Sequence, residues 1–396
     1  MPYLDHAATT PLRPAVAEQV ARDLSATWAN PSSQHAAGRR ASARLAEARS
    51  RLAHALGVDP HEVLLTSGGT EADALVVSGR ARAVPGGRLV VSPIEHPGVL
   101  DSARRAVSDL GAGLDLLEVD DAGRVDPGSL ARAVGPSSGG PVSLVSVMAA
   151  NNETGVVQDM AALVACVREA TGESRPGREG YVPVHSDVVA ALGRVEVDFH
   201  GWGLDAMSLS GHKLGAPVGV GALVARRDLV LRPVTGGGGQ ERGLRSGPQD
   251  VVAARALALA VELAVAEREA EAARLEVLRS RLLAGATVVP GVRATLPDGV
   301  AHLPSTVHLW VEEAEAESLL MALDLAGVEA SAGSACHAGV LQPSEVVLAM
   351  GLSEEAARAT LRVSMGGTTT AQDVERLLAA LPGAVEVSRR ARAVRG

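Results

Sequence analysis

The sequence is short of lysine, of cysteine and of long apolar runs. Its 396 residues include only two cysteines, Cys166 and Cys336, which are too few for a disulfide scaffold or a zinc cluster. We therefore expect no metal site, and we expect the protein to be located in a reducing cytoplasm. No apolar run approaches the roughly 20 residues that a membrane-spanning helix needs, so no membrane association is expected. The net charge of −9 argues against direct contact with nucleic acid, because phosphate binding needs a basic face. A hydrophobic content of 46% excludes a largely disordered chain.

Only one of the 37 basic residues is a lysine, Lys213, and the other 36 are arginines. Arginine replaces a surface lysine at almost no cost, so a lysine that persists in this composition suggests a need for an amine. A guanidinium stays protonated, whereas a lysine amine forms a Schiff base with an aldehyde. Lys213 is therefore a candidate nucleophile, with the alternative that it is a chance remainder.

Short apolar runs separated by helix-length segments indicate an α/β fold. They are nearly continuous in hydrophobicity, as strands buried on both faces are, and predict a doubly wound, mostly parallel sheet. A helix is predicted over Ala36–Leu56. One long helix, or two in succession, is predicted over Gln249–Leu283, leading to a smaller α+β unit. Residues 388–396 are expected to form a frayed basic tail. The predicted strands cover residues 63–66, 88–92, 114–119, 142–148, 182–185, 206–209 and 218–224.

Polar residues follow five of these strands, at the edge where an open α/β sheet binds its ligands. They are Ser67-Gly68-Gly69-Thr70-Glu71, Glu95-His96, Asn151-Asn152-Glu153-Thr154-Gly155, Asp187 and Ser210-Gly211-His212-Lys213. Hydroxyls, an imidazole, amides, a carboxylate and the single lysine are thus expected to converge on one site.

These residue types predict a site for pyridoxal phosphate. Lys213 would bind the aldehyde, and Asp187 would pair with the ring nitrogen so that the ring withdraws electrons. His96 would stack on the ring and move protons. Taken singly, these residues also fit a turn, an N-cap or a core histidine, and only their convergence favours the cofactor. The phosphate would be bound at a helix N-terminus and beside the lysine, by Gly69, Thr70, Ser210 and His212.

Two further segments are rich in small residues. In residues 235–247 charged residues follow the glycines, which favours a phosphate-contacting or interface loop over a linker. Residues 331–339 surround Cys336 with glycine, serine and alanine, which is typical of a mobile loop that brings a thiol into a site. The alternative is an inert buried cysteine, which is what we expect of Cys166 in its apolar helical stretch.

An ordered set of motifs resembles the NifS/IscS-like cysteine desulfurases of the class V aminotransferase family along nearly the whole chain. The resemblance implies the aspartate aminotransferase type of fold (fold type I of the pyridoxal phosphate enzymes). It also implies a large cofactor-binding domain over residues 13–262, and a small domain of residues 1–12 and 263–396 with the catalytic cysteine loop. The motifs are Leu4-Asp5-His6-Ala7-Ala8-Thr9-Thr10-Pro11, Asn30-Pro31-Ser32-Ser33, Thr66-Ser67-Gly68-Gly69-Thr70-Glu71, Glu95-His96, Asn151-Asn152-Glu153, His185-Ser186-Asp187, Ser210-Gly211-His212-Lys213, Gly237-Gly238-Gly239-Gln240-Glu241-Arg242, Arg245-Ser246-Gly247, Gly333-Ser334-Ala335-Cys336 and Leu361-Arg362-Val363-Ser364.

By position, the resemblance implies a role for each matching residue. Lys213, Cys336 and His96 would be catalytic, with Lys213 as the Schiff-base lysine and Cys336 as the cysteine that becomes a persulfide. The enzyme would be a homodimer in which the Arg245 loop reaches the neighbouring subunit's cofactor. The cofactor would be bound by Gly69, Thr70, His96, Asn152, Asp187, Ser210, His212, Lys213 and Arg245. The substrate would be bound by Asn30, Asn152 and Arg362, whose planar fork suits a carboxylate.

Three positions depart from the family pattern. Ala190 replaces a glutamine that contacts the phenolic oxygen of the cofactor, and Pro248 replaces a threonine that binds its phosphate. His337 follows the reactive cysteine where threonine or serine is usual, and an imidazole there favours the thiolate. These departures bear on rate and cofactor affinity more than on reaction type.

The implied reaction converts L-cysteine and an enzyme thiol to L-alanine and a Cys336 persulfide, whose sulfur passes to an acceptor protein. Iron–sulfur cluster assembly, tRNA thiolation and DNA phosphorothioation all draw on such enzymes. One alternative is a selenocysteine lyase or an aminotransferase, since one scaffold hosts many reactions. Another is a weakly active homologue that docks partners, which Ala190 and Pro248 suggest.

Overall fold

The structure of the protein is a computed structural model that describes residues 1–333, 336–337 and 340–395. Of residues 336, 337, 340, 341, 394 and 395 it describes only the backbone. The side chain of Cys336, predicted to form the persulfide, and that of the neighbouring His337 therefore lie outside the described part.

A seven-stranded sheet forms the centre of the molecule. Its strand order is β1-β7-β6-β5-β4-β2-β3, and every neighbouring pair is parallel except the two that involve β7. The prediction of a mostly parallel, doubly wound sheet is confirmed. The strands are β1 Val63–Thr66, β2 Arg88–Val91, β3 Gly113–Leu116, β4 Val142–Ser146, β5 Val184–Asp187, β6 Ala206–Ser210 and β7 Gly221–Ala225.

Strand β7 is antiparallel because the connection before it is short. Only residues 211–220 join β6 to β7, fewer than the dozen or more that a parallel crossover needs. The first residue of β7 must be glycine, because a Cβ on Gly221 would lie 2.6 Å from the carbonyl oxygen of Leu209 and 2.7 Å from Cα of Gly68. This close approach brings the turn after β6 beside the turn after β1.

Helices cover both faces of this sheet and continue beyond it. The predicted helix over Ala36–Leu56 is confirmed, and it ends at Gly57, whose φ of 67° is a left-handed conformation suited to glycine. No helix in the described ranges is both long and apolar enough to cross a membrane. The helices are α1 Pro14–Ala26, α2 Ala36–Leu56, α3 Gly69–Ala83, α4 Pro97–Leu110, α5 Pro127–Val134, α6 Met160–Thr171, α7 Val251–Thr287, α8 Ala316–Leu325, α9 Glu345–Ala349, α10 Glu354–Arg358 and α11 Ala371–Arg395.

The long helix α7 connects two hydrophobic cores. Leu257 and Val261 in its first half pack into the core of the large sheet, while Leu278 and Leu282 pack into a second core. This second core contains Leu4 and covers a three-stranded antiparallel sheet ordered β12-β9-β8. The domain boundaries implied by the resemblance stay a prediction. The remaining strands are β8 Val292–Ala294, β9 Thr306–Val311, β10 Cys336–His337, β11 Val340–Leu341 and β12 Thr360–Ser364.

The expected frayed tail at residues 388–396 is wrong. Helix α11 runs through Pro382 to Arg395, and Ser388 on it is fully buried. The Ser388 hydroxyl accepts a hydrogen bond from the Glu315 N–H at 3.0 Å and donates to the Glu315 carbonyl at 2.9 Å. Arg389 donates to the carbonyl oxygens of Glu312 and Pro290. The run of arginines resembles a solvated tail in the sequence, but the contacts of Ser388 and Arg389 attach this end of the helix to the rest of the protein.

Candidate active site

A cavity of about 480 Å³ lies at the carboxyl ends of the central strands. The structure thus brings together residues that the sequence places on five strands and on the more distant β12. Neither Asn30 nor Arg245 is among the described residues that line the cavity. The predicted site residues that do line it are Gly69, Thr70, His96, Asn152, Asp187, Ser210, His212, Lys213 and Arg362.

The Lys213 amine lies on the short turn after β6 and is held by the N-terminal segment. Its Nζ donates to the carbonyl oxygens of Ala7 and Ala8 at 2.6 and 2.7 Å. Burial lowers the pKa of Lys213 to about 8, with the positive charges of Arg362 and Arg194 acting in the same direction. A substantial neutral fraction of the amine is therefore present near physiological pH, as a nucleophile or base requires.

Asp187 ends strand β5 as a buried carboxylate. Its Oδ1 accepts the N–H of Val189 at 2.8 Å, which fixes the carboxyl plane. Burial raises the pKa of Asp187, while the charges of His96 and Lys213 and the Val189 hydrogen bond oppose this. A carboxylate in such surroundings is stabilised by a cationic partner, such as a protonated ring nitrogen, in the cavity.

Two further buried carboxyl groups lie near Asp187. Burial raises the pKa values of Asp73 and Glu95 well above their ordinary range, and the charge of Asp187 raises both further. Asp187 differs from both in having the positive charges of His96 and Lys213 beside it, which lower its pKa and favour its ionised form.

His96 caps the N-terminus of helix α4 with its ring. Its Nδ1 accepts the N–H of Gly98 at 3.0 Å, so in the neutral ring the proton resides on Nε2. Burial lowers the pKa of His96, Asp187 opposes this shift and Lys213 adds to it. A neutral, oriented imidazole at the cavity wall suits stacking and proton transfer.

The start of helix α3 at the cavity wall offers donors for an anion. Helix α3 begins at Gly69, so its first backbone N–H groups and its dipole favour a phosphate there. A Cβ on Gly69 would lie 2.8 Å from a methyl group of Val189, so the backbone approach requires glycine. Burial lowers the pKa of His212 to about 4, with Lys213 adding to the shift, so this ring is a neutral donor or acceptor.

Arg362 on β12 also lines the cavity. Its Nη2 contacts Oδ1 of Asp5 at 2.8 Å and its Nη1 donates to the carbonyl of Asn152 at 3.0 Å. Its Nε is buried and has no hydrogen-bond partner within the described part of the chain. An oriented guanidinium with an unused donor suits a carboxylate ligand. Asn152 itself is placed by Asn151, whose side-chain oxygen accepts the N–H groups of Glu153 and Thr154.

Asn30 and Arg245 are engaged elsewhere. Asn30 is exposed, and its side-chain oxygen accepts the N–H of Ser32 at 2.9 Å. Arg245 forms an ion pair with Glu71 at 3.0 Å, in the first turn of α3. Their proposed contacts with substrate and cofactor stay predictions.

Arg194 and Asp5 are two residues of the site that the sequence does not reveal. Arg194 lines the cavity and donates to the Lys213 carbonyl at 3.2 Å. As one of 36 arginines it carries no signal in the sequence. Asp5 belongs to the N-terminal motif that begins at Leu4, but only the fold reveals its pairing with Arg362, 357 residues away.

The residues present fit pyridoxal phosphate. An amine for the aldehyde, a buried carboxylate for the ring nitrogen and a glycine helix N-terminus for the phosphate line one cavity. A cavity of this volume is within the usual range for a cofactor with its substrate. Ala190 also lines the cavity, where a small side chain offers no hydrogen bond to the ring.

Comparisons with known proteins agree with this chemistry. Residues 2–377 match the family Aminotransferase class-V. An IscS-like cysteine desulfurase of Mycobacterium tuberculosis is 43% identical over 397 residues, which cover 99% of this chain and 98% of the relative. The solved structure of a NifS-like protein matches with a TM-score of 0.87 and 29% identity, over 97% of this chain and 99% of that one. The structure titled SspA in complex with cysteine matches with a TM-score of 0.77 and 29% identity, over 92% and 99%.

These likenesses extend over almost the whole length of the chain and of its relatives. They confirm the predicted family, the fold type and the cofactor. The chain therefore belongs to the aminotransferase class-V family, and within it to the cysteine desulfurases that depend on pyridoxal phosphate.

Proposed function

We propose that the Lys213 cavity is where this chain removes sulfur from L-cysteine, and that Cys336 receives the sulfur. The observation that carries the proposal is the meeting of the only lysine with Asp187, His96 and Arg362 in one cavity. The related structure of SspA is a complex with cysteine, which supports the same substrate for this chain.

Each residue has a distinct task in this proposal. When bound, pyridoxal phosphate withdraws electrons from the substrate's Cα. Lys213 would hold the cofactor through its amine, and the same amine in its neutral form would take the Cα proton. Arg362, which lines the cavity, orients the substrate carboxylate. Asp187 keeps the ring nitrogen protonated, and His96 returns a proton through Nε2.

The sulfur leaves as the Cys336 thiolate attacks it. The C–S bond of cysteine breaks, an S–S bond forms, and the protons of the two reactants yield L-alanine and a Cys336 persulfide with no outside oxidant or reductant. The other thiol is unsuited to this step. Cys166 lies on α6, donates to the Pro127 carbonyl at 3.4 Å, and has a pKa raised mainly by burial.

A turnover assay without a keto acid tests the reaction type. The cofactor-loaded protein, given L-cysteine and a thiol reductant, should release alanine and sulfide in equal amounts. An aminotransferase needs a keto acid acceptor, and a selenocysteine lyase would release selenide from selenocysteine while leaving cysteine unused. Alanine that appears only with added keto acid, or a lack of reaction with cysteine, would refute the proposal.

We further propose a homodimer that delivers sulfur to an acceptor protein in a reducing cytoplasm. Large apolar side chains are exposed on the chain, among them Trp28 at 77% and Val218 at 80%, and Val218 lines the cavity. Burial of such side chains between two copies would stabilise a dimer. Light scattering on the cofactor-loaded protein distinguishes a dimer from a monomer. Capture of acceptors by the persulfidated protein, with Cys336→Ser as the control, tests the second part.

A further inference from the structure

Arg194 lies in the segment between β5 and β6, next to Lys213. The preceding Gly193 has a φ of 74°, and a Cβ there would lie 2.9 Å from Cβ of Ala264 on α7. Only glycine fits so close to α7, so the backbone at Gly193 and Arg194 is held against this helix. The Arg194 Nη2 donates to the Lys213 carbonyl at 3.2 Å and its Nη1 to the Leu192 carbonyl at 3.5 Å.

The positive charge of Arg194 is not compensated by a direct partner. No carboxylate of the described residues forms an ion pair with it, whereas Arg13 is paired with Glu267 and Arg274 with Glu271. The charge of Glu271 also acts on Arg194, but without direct contact. Burial lowers the pKa of Arg194 to about 10, so the guanidinium stays charged at neutral pH.

Lys213 is surrounded by charged and titratable groups from several elements. Arg362 and Arg194 both lower the pKa of the amine, and Asp5, which pairs with Arg362 at 2.8 Å, acts in the opposite direction. Arg194 differs from Arg362 in that no carboxylate of the described residues is in direct contact with it. The groups that face the amine are Asp5, His96, Asp187, Arg194, His212 and Arg362.

We propose that Arg194 is a positioning residue for Lys213: it holds the carbonyl of the turn that carries the lysine, and its charge, which has no carboxylate of the described residues in direct contact, favours the neutral amine. This inference rests on the proposed function for its purpose, because a neutral amine is what takes up the cofactor and the Cα proton. Removal of the positive charge of Arg194 stabilises the protonated form of Lys213, so the pKa of the amine rises.

The single lysine makes this effect directly measurable. In the full-length, cofactor-free chain, competitive acetylation over a range of pH, read by mass spectrometry on the Lys213 peptide, gives the titration midpoint of the amine. Arg194→Gln retains a donor and loses the charge, and should raise the midpoint by about 1 unit. Arg194→Lys retains the charge and should leave the midpoint close to that of the parent.

Arg13→Gln is the matched control. Arg13 donates through Nε to the carbonyl of Leu214, the residue after Lys213, but its charge is paired with Glu267. Its removal should leave the midpoint unchanged. If Arg194→Gln and Arg13→Gln shift the midpoint equally, or if neither shifts it, Arg194 has only a structural role and the inference is wrong.

A second readout uses the loaded enzyme. The pH at which the cofactor's visible absorption changes should rise in Arg194→Gln and not in Arg194→Lys. Should the Gln variant fail to fold by circular dichroism, Arg194→Met carries the same prediction. Neither readout requires turnover: a failure to desulfurate cysteine overturns the proposed function, whereas an unmoved midpoint overturns this inference alone.

Discussion

The Lys213 amine lies between two carbonyl oxygens and two cations. Ala7 and Ala8 accept its hydrogen bonds, while Arg362 and Arg194 lower its pKa. Because it is the only lysine, borohydride reduction of the loaded protein should fix the cofactor to Lys213, which peptide mass spectrometry locates. Lys213→Arg retains a cation but cannot take up the aldehyde, and it should yield no adduct. An adduct on the N-terminal amine in place of Lys213 would contradict the assignment.

The negative charge of Asp187 is a second requirement of the proposed reaction. Asp187→Asn retains the acceptor for the Val189 N–H but loses the negative charge that keeps the ring nitrogen protonated. We expect the cofactor to remain bound and kcat to fall about 100-fold or more. Steady-state alanine production measures this.

Asp73 provides the matched control for Asp187. It is a second buried aspartate lining the same cavity, and Asp73→Asn makes the same isosteric change there while leaving Asp187 in place. Its kcat should stay near that of the parent. Equal losses in the two variants would show that packing, and not the charge at Asp187, is what matters.

How far the sequence predicts the site follows from the chemistry of each residue. Lys213, Asp187 and His96 were identified because rare or reactive types follow strands of one sheet, and strand ends meet at one edge. Arg194 was not, since an arginine among 36 has no distinguishing mark and its action depends on the unpaired state that only the fold reveals.

The helices and strands differ in how far the sequence predicts them. The parallel strands follow from apolar runs separated by helices. The reversal at β7 also follows from the sequence in hindsight, because residues 211–220 are too few for a crossover. The end of α11 is different: Pro382 and a run of arginines suggest a break and a tail, and only the contacts of Ser388 with Glu315 show why the helix continues.

Ser388 provides a test of that helix end. Ser388→Ala removes two hydrogen bonds to Glu315, the residue before α8, and a third to the Ser318 hydroxyl on α8, and should lower the free energy of unfolding by about 1 kcal/mol or more. Urea unfolding measures this. Ser280→Ala, at an exposed serine of α7, should leave the free energy unchanged. Equal values for parent and Ser388→Ala would mean that the end of α11 adds nothing to stability.

For the whole molecule, buried neutral histidines make stability depend on pH. His308 on β9 is buried, and this lowers its pKa from 6.5 to about 3. The unfolded chain binds a proton below pH 6.5 that the folded chain does not, so stability is lost as the pH falls from 6.5 towards 3. Each pH unit in this window costs about 1.4 kcal/mol for one such histidine.

His308→Gln should therefore flatten the acid side of the stability profile. Between pH 7.5 and pH 5.5 the parent should lose about 1.4 kcal/mol more than the variant, by urea unfolding at both values. His54→Gln, at an exposed histidine of α2, should retain the parent's dependence. A variant that loses as much as the parent would mean that His308 titrates alike in both states.

The fate of one sulfur atom tests the central claim most directly. Cofactor-loaded protein is mixed with one equivalent of ³⁵S-labelled L-cysteine and no reductant, and alanine and labelled peptides are quantified. We expect one alanine for each sulfur bound, with the label as a persulfide on Cys336. The label should be retained in Cys166→Ser and lost in Cys336→Ser. Alanine without protein-bound sulfur, or label on Cys166, would contradict it.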